Sequence, residues 1–576
     1  MNSQQAVALE ERPADLVVTG GRVYLSGRGA FLERDVVVVG NRIASIVDDA
    51  SDVVEAETTV VDASGRVVLP GLIDAHTHVD TTVTMENWAP GLLETGTTAV
   101  VTEVSGLGPR FGAHGVDVLL EATESMPLTA YLCLPPQRLV DTFEPAAGDE
   151  AELEALGALL DHPRVVGVGE IDWIHVVGRE PPLADLLDRT RNAGGVVVGH
   201  GAGCRGENLG AFATVVDNDH EAIAADGVLE RATNGLHVVA RCGSNRDDLD
   251  AVVDVFDDLG PSNVSLSTDG LAPGAVLDGF GMTTVLERTV EKGVDPATAV
   301  ELATANPARH FGLTDRGVIA PRAIADLVIV DSMANLTVET VVADGDVVVT
   351  DGAADFEPPA VDYPEPIRDS VAVECATDRF TAPVADAPGG TVRSMAVDRG
   401  FITTETTVEP AVDGDRFGPA PEGDALTLTA LDRRPDSTRG FTGFLTGYGL
   451  EAGAFATTGT WEPPVTLTVA AHTEDAVVAT DHLAAIGGGM VVARDGEVIA
   501  AFPMPIGGAA AQCSLQAADE RIRSIGRAVR RCGCDDRMPL LSIQTATFLG
   551  VPALKITSSG YADVMNGRLV GLAVDE

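Results

Sequence analysis

The chain has 576 residues, 45% of them hydrophobic and 4% aromatic. Against a norm of roughly one domain per 100 to 200 residues, this predicts several domains around a large core and excludes both a small binding module and a disordered chain. With 87 acidic residues against 38 basic ones, the net charge is −49, which argues against nucleic acid or an anionic membrane surface as a partner, since both are held by basic patches.

Only Lys292 and Lys555 are lysines, and the acids run along the whole length. That pattern predicts a dense carboxylate surface suited to a halophilic, salt-rich cytoplasm. The first fifteen residues are polar and acidic, without the apolar stretch of a secretory leader, and no later run approaches the roughly 18 apolar residues of a membrane span. Seven scattered cysteines form no disulfide framework, so a reducing, cytoplasmic setting is expected.

From residue 14 to 69, short β-branched runs separated by Gly, Asn and Asp predict a small antiparallel β unit. The same texture returns at 325–330 and 338–350, so one β layer assembled from both flanks, residues 1–69 and 314–355, is expected. Between them, residues 70–313 alternate Val-rich runs with helical stretches such as 116–125 and 149–160. Alternation of this kind predicts a parallel sheet covered by helices, and the length is close to the roughly 250 residues typical of a (β/α)8 barrel. The Pro/Asp-rich stretch 356–366 reads as a linker to a C-terminal α+β domain, residues 367–576.

The strongest local signal is Pro70-Gly71-Leu72-Ile73-Asp74-Ala75-His76-Thr77-His78. On a strand, His76 and His78 point to one face, where two imidazoles can hold a divalent cation. Four more apolar runs lead to a donor: 165–170 to Glu170, 195–200 to His200, 215–216 to His220, and 264–269 to Asp269. In a barrel these strand ends gather at the C-terminal face, so six side chains are predicted to converge on a site for two ions about 3.5 to 4 Å apart. An N/O set without thiolate suits Mn, Fe or Zn.

This pattern resembles the amidohydrolase superfamily, metal-dependent (β/α)8 hydrolases flanked by a β-sandwich drawn from both sides of the barrel. The resemblance implies that His76 and His78 are first-strand ligands, His200 and His220 fifth- and sixth-strand ligands, and Asp269 the eighth-strand acid. Many such enzymes bridge two metals with a carbamylated lysine. Neither lysine here lies in the required place, which leaves Glu170 as the bridge.

Glu170 within Gly167-Val168-Gly169-Glu170, with Gly199-His200 and Asp219-His220-Glu221, is similar to the bacterial-type adenine deaminase family. So are the barrel exit at 305–313 and the stretches 447–454, 487–496 and 503–507. The resemblance implies hydrolysis of adenine to hypoxanthine and ammonia by a metal-activated hydroxide, with Asp269 as ligand and base and Glu221 acting at the ring nitrogens. It also implies two divalent ions per chain, Mn favoured, a small purine-like substrate and a homodimer.

The chain departs from the family at Asp80, Thr81 and Thr82, at Thr102 to Ser105 including Glu103, at Ile171-Asp172, at Gly270, and at Thr458-Gly459-Thr460-Trp461. These positions leave open a second reading, another cyclic amidine, cyclic amide or N-acyl substrate. Ordinary structural roles are expected for the remaining histidines, His114, His162, His175, His237, His310, His472 and His482, for Cys532-Gly533-Cys534, and for a turn at Gly487-Gly488-Gly489.

Overall fold

In the computed structural model, described for all residues except 1, 141–142, 144–147, 178–182, 245, 369, 400–401, 435–436, 462–463, 552 and 575–576, eight parallel strands alternate with helices. They are β1 (Leu72–Thr77), β2 (Thr97–Glu103), β3 (Thr129–Leu134), β4 (Val165–Asp172), β5 (Val196–His200), β6 (Asn218–Asp219), β7 (His237–Arg241) and β8 (Val264–Ser267). Their order in the sheet is their order in the chain. The ring closes where Asp269 N–H donates to the His76 carbonyl at 2.9 Å and Thr77 pairs with Asp269. Every residue of β1, β2, β5 and β7 is buried, as continuous apolar runs covered on both faces require.

The helices fall where apolar spacing places them. Residues 149–160 form the helix Glu150–Leu159, whose N-cap Asp149 accepts from the backbone N–H groups of Ala151 and Glu152. The stretch 116–125 forms Ala113–Ala122, starting three residues earlier because Gly112 at φ +53° breaks it from the preceding turn Gly108–Phe111.

The flanking β layer is one nine-stranded sheet, joined where Val67–Pro70 pairs antiparallel with Leu327–Ser332. Its first part is mixed rather than antiparallel as expected. Leu16–Leu25 pairs antiparallel with Ala30–Val39, but parallel with both Thr59–Asp62 and Val67–Pro70. The hairpin occupies one edge of Leu16–Leu25, so the chain returning from Arg42–Val47 fills the other edge running in the same direction.

An eight-stranded sheet spanning Val392 to Pro503 forms the C-terminal part, packed by the helices Thr473–Ala485 and Leu515–Arg531. Gly487, Gly488 and Gly489 all have positive φ, making the expected turn. This part is tied to the barrel mouth, since Ala510–Ala511 pairs with Thr82–Val83, and in the segment leading to it Tyr363 Oη donates to the buried Glu86 carboxylate at 2.9 Å. Among the described residues no helix is long and apolar enough to cross a membrane.

Candidate metal centre

The C-terminal ends of the barrel strands gather all six predicted donors. His76 ends its apolar run on β1, and His78 follows that strand by one residue. Their Nε2 atoms lie 3.2 Å from Glu170 Oε2 and 3.2 Å from Asp269 Oδ1, respectively. His200 Nδ1 lies 3.2 Å from Glu170 Oε1, and His220 Nε2 3.5 Å from Glu170 Oε2. Glu170 thus stands between two imidazole pairs, with one carboxylate facing both.

Two donors lie just past their strands. Asp269 is two residues beyond β8 with φ +53°, a left-handed conformation that Asp tolerates better than most side chains. Its backbone N–H to His76, and the Thr77 hydroxyl donating to its carbonyl at 3.0 Å, hold it there. His220 and Glu221 follow β6 on a turn anchored by Asp219, which accepts from Gly201 N–H, Glu221 N–H and Arg231 Nε at 3.0, 3.0 and 2.6 Å. That buried ion pair fixes the angle at which both side chains enter the site.

A second layer orients the imidazoles. Ser105 Oγ is 2.9 Å from His78 Nδ1, and Glu103 Oε1 is 3.6 Å from His76 Nδ1. Partners on the far ring nitrogen fix which nitrogen is offered to an ion. His76 Nε2, Glu170 Oε2, His200 Nε2 and His220 Nδ1 are buried without a hydrogen-bond partner. Orphaned polar atoms are costly in a protein interior. Three groups of donors lie close enough to share an ion: His76, Glu170 and His220; His76, His78 and Asp269; and His200, His220 and Glu221. The N/O donor set and its orphaned atoms fit divalent cations.

The electrostatics agree. Burial opposes charge on His200, yet the Glu170 and Glu221 carboxylates overcome it and push its pKa up to about 10. Burial alone would raise Glu170 and Asp269, but the surrounding cations hold both well below the usual carboxylate range.

Arg241 was not among the expected residues. It ends the apolar run of β7 just as the other donors end theirs, so the same rule applied to residues 237–241 finds it. Its Nη1 pairs with Glu221 and lies 3.3 Å from Asp269 Oδ2, and its Nη2 is 2.8 Å from Asp248. Despite burial, Arg241 and the neighbouring imidazoles hold Glu221 at about 2.

A cleft of about 100 Å³ opens over the donors, walled by Arg241, Arg246, Trp461, Phe548 and Val551. Trp461 meets His78 edge-on with centroids 4.9 Å apart, and Phe548 meets His200 at 5.1 Å. Both rings come from the C-terminal part. Phe548 had no local signal. Gly550 lets its segment approach, since a Cβ there would stand 2.3 Å from Asp172 Oδ1.

The departing positions divide. Glu103 lies behind His76. Asp80 is buried, accepts from Gly106 N–H at 2.7 Å, and is pushed up to about 6 by that burial. Asp172 is buried beside His175 Nε2 at 3.5 Å, and Gly270 lines the cleft. His237 and His310 stack on each other at 4.1 Å, away from the donors.

Residues 67–348 match the Amidohydrolase family and residues 400–568 the Adenine deaminase C-terminal domain. An adenine deaminase of Moorella thermoacetica is 30% identical over 580 residues, covering 98% of this chain and 97% of its own. One from Nitratidesulfovibrio vulgaris is 31% identical over 573 residues, with 98% and 97% covered. Among solved structures, a beta-aspartyl dipeptidase from Fervidobacterium islandicum AW-1 is similar at 20% identity and a TM-score of 0.47, over 59% of this chain and 98% of that one. Identity at this level from end to end, on a barrel whose strand ends bring these donors together, makes the chain a member of the adenine deaminase family of amidohydrolases.

Proposed function

We propose that this protein hydrolyses adenine to hypoxanthine and ammonia. The observation that carries the reading is the full-length similarity to adenine deaminases, combined with four buried imidazoles and two part-buried carboxylates around one cleft. His76, His78, Glu170, His200, His220 and Asp269 would hold two divalent ions, Mn in preference to Fe or Zn, with the Glu170 carboxylate facing both imidazole pairs. Ions held there supply Lewis acidity and, by lowering the pKa of water, a nucleophile at neutral pH.

The chain's own groups do the rest. The water oxygen adds to C6 across the C6–N1 double bond while Asp269 takes one of its protons and passes it to the exocyclic amine. The amine leaves as ammonia when the C6–N bond breaks, and the second water proton ends on N1 of hypoxanthine. Glu221 acts at the purine ring nitrogens. Arg241, in contact with both, keeps them ionised and aimed. Trp461 and Phe548 offer aromatic faces to the planar ring and exclude water.

The same proposal includes a homodimer in a reducing, salt-rich cytoplasm, in keeping with seven free cysteines and the net charge of −49. It divides the chain into a composite β layer of residues 1–69 and 314–355, a catalytic barrel of residues 70–313 and a C-terminal α+β domain of residues 367–576. The test is to strip the protein with chelator, reload it with Mn²⁺ in high salt, and follow adenine loss together with ammonia release. Turnover returning with about two ions per chain is expected. An intact two-ion protein that leaves adenine untouched overturns the reading.

A further inference from the structure

Between the barrel mouth and the C-terminal sheet lies a second cavity, of about 230 Å³, which shares His78, Gly270, Trp461 and Leu541 with the metal cleft. Two arginines line it. Arg110 sits in the helical turn Gly108–Phe111 that follows β2, and Arg433 directly follows the strand Leu426–Asp432. They are neighbours, since Arg110 Nη1 donates to the Arg433 carbonyl.

Arg433 is 5% exposed and, among the described residues, bonds only neutral groups, Nη1 to the Gly507 carbonyl at 3.0 Å and Nη2 to the Thr458 carbonyl at 3.3 Å. The Nε atoms of both arginines are buried without a partner. Among the described residues no carboxylate stands within ion-pair distance of either guanidinium. The acid next in sequence, Asp432, is already taken by Arg434 at 2.8 Å and Arg439 at 3.0 Å.

A buried cation without a counter-charge is expensive, and two side by side more so. Burial pulls Arg433 down to about 9, with repulsion from Arg110 adding to it, and pulls Arg110 down to about 10. Among the described residues no Asp or Glu lines this cavity. Among the described residues the usual neutralising partner is missing from a space with room for a ligand.

We propose that this cavity is an oxyanion site, in which a phosphate-type anion seats against Arg110 and Arg433 beside the metal cleft. Guanidinium donors match phosphate oxygens in geometry and charge, and the anion supplies the counter-charge that the protein omits. The anion is either a free ion or a group carried on the substrate past Trp461. The site rests on the two arginines and not on the identity of the base deaminated next door.

Calorimetric titration of the metal-loaded protein with inorganic phosphate, at fixed high ionic strength, tests it. One saturable site is expected, weakened about tenfold or more in Arg110→Gln and in Arg433→Gln, as loss of a charge-assisted donor implies. Arg433→Gln also loses two carbonyl bonds, so cooperative melting is checked first, and the partly exposed Arg110 provides the variant least dependent on folding.

Adenosine 5′-monophosphate separates the sources. If the anion rides on the substrate, it displaces phosphate and its C6 amine is released as ammonia. If the anion is free, phosphate binds alongside adenine and the nucleotide does not displace it. Absence of saturable binding by either probe overturns the site. So does phosphate binding unchanged in Arg110→Gln, which would put the anion on the metal ions. Adenine turnover measured on the same samples keeps a failure here distinct from a failure of the deaminase reading.

Discussion

The barrel buries two groups of imidazoles, and they behave in opposite ways. At the C-terminal ends of the strands, His76, His78, His200 and His220 crowd against Glu170 and Asp269, with ring nitrogens left unpaired. Elsewhere in the same barrel, His237 at the start of β7 bonds Ser265 at 2.8 Å, and His310 bonds Asn218 at 2.8 Å. Burial pushes His237 down to about 2, with His310 adding to it, and pushes His310 down to about 4. One strand, β7, carries a satisfied, neutral histidine at one end and Arg241 among the carboxylates at the other. Burial of a histidine therefore says little by itself. Carboxylate company and orphaned nitrogens are what mark a site for cations.

The contrast breaks most visibly at the donors. His200→Ala or Asp269→Ala is expected to lower kcat/KM by about a thousandfold or more and to cut bound metal below about two ions per chain, read by steady-state assay and elemental analysis. Full activity in either variant would sink the assignment. Arg241→Met probes the next layer. It should cost about 10- to 100-fold in kcat/KM while metal content holds, as removal of an orienting partner does.

The opposite pole sharpens through stability. His237→Phe should leave metal content and turnover intact and cost about 1 to 3 kcal/mol at neutral pH, by stranding Ser265. It should also change the acid limb of a denaturation series. Both histidines stay neutral in the fold well below their unfolded value near 6.5, so the unfolded state binds more protons as pH falls. Stability then drops from about pH 6.5 to about 4 by up to about 1.4 kcal/mol per unit per histidine, and the variant should show the shallower slope. The smallest effect is at the roof, where Trp461→Leu should raise KM about two- to tenfold with kcat little changed, the worth of one aromatic contact.

Much of this was written locally. Apolar runs ending in His76, Glu170, His200 and Asp269 carry both the strand and its donor, and the parallel order of β1 to β8 follows from their alternation with helices. Asp269 was legible as a residue but not as a geometry, because its left-handed turn depends on hydrogen bonds to His76 and Thr77 across the barrel seam. The parallel pairing of Leu16–Leu25 with Thr59–Asp62 was also hidden. Periodicity reports which face of a strand is buried, and edge occupancy decides which way its neighbour runs.

The order of residues along the chain determined the barrel, the donor types and their placement at strand ends, because backbone periodicity and side-chain chemistry are properties of short segments. Tertiary structure alone decided that Trp461 and Phe548 roof the cleft, that Arg241 touches Glu221 and Asp269, and that Arg110 and Arg433 share a cavity lined, among the described residues, by no acid. Those groups join residues distant in sequence: closure of the barrel brings Arg241 to Glu221 and Asp269, and packing of the C-terminal sheet against the barrel mouth places the others.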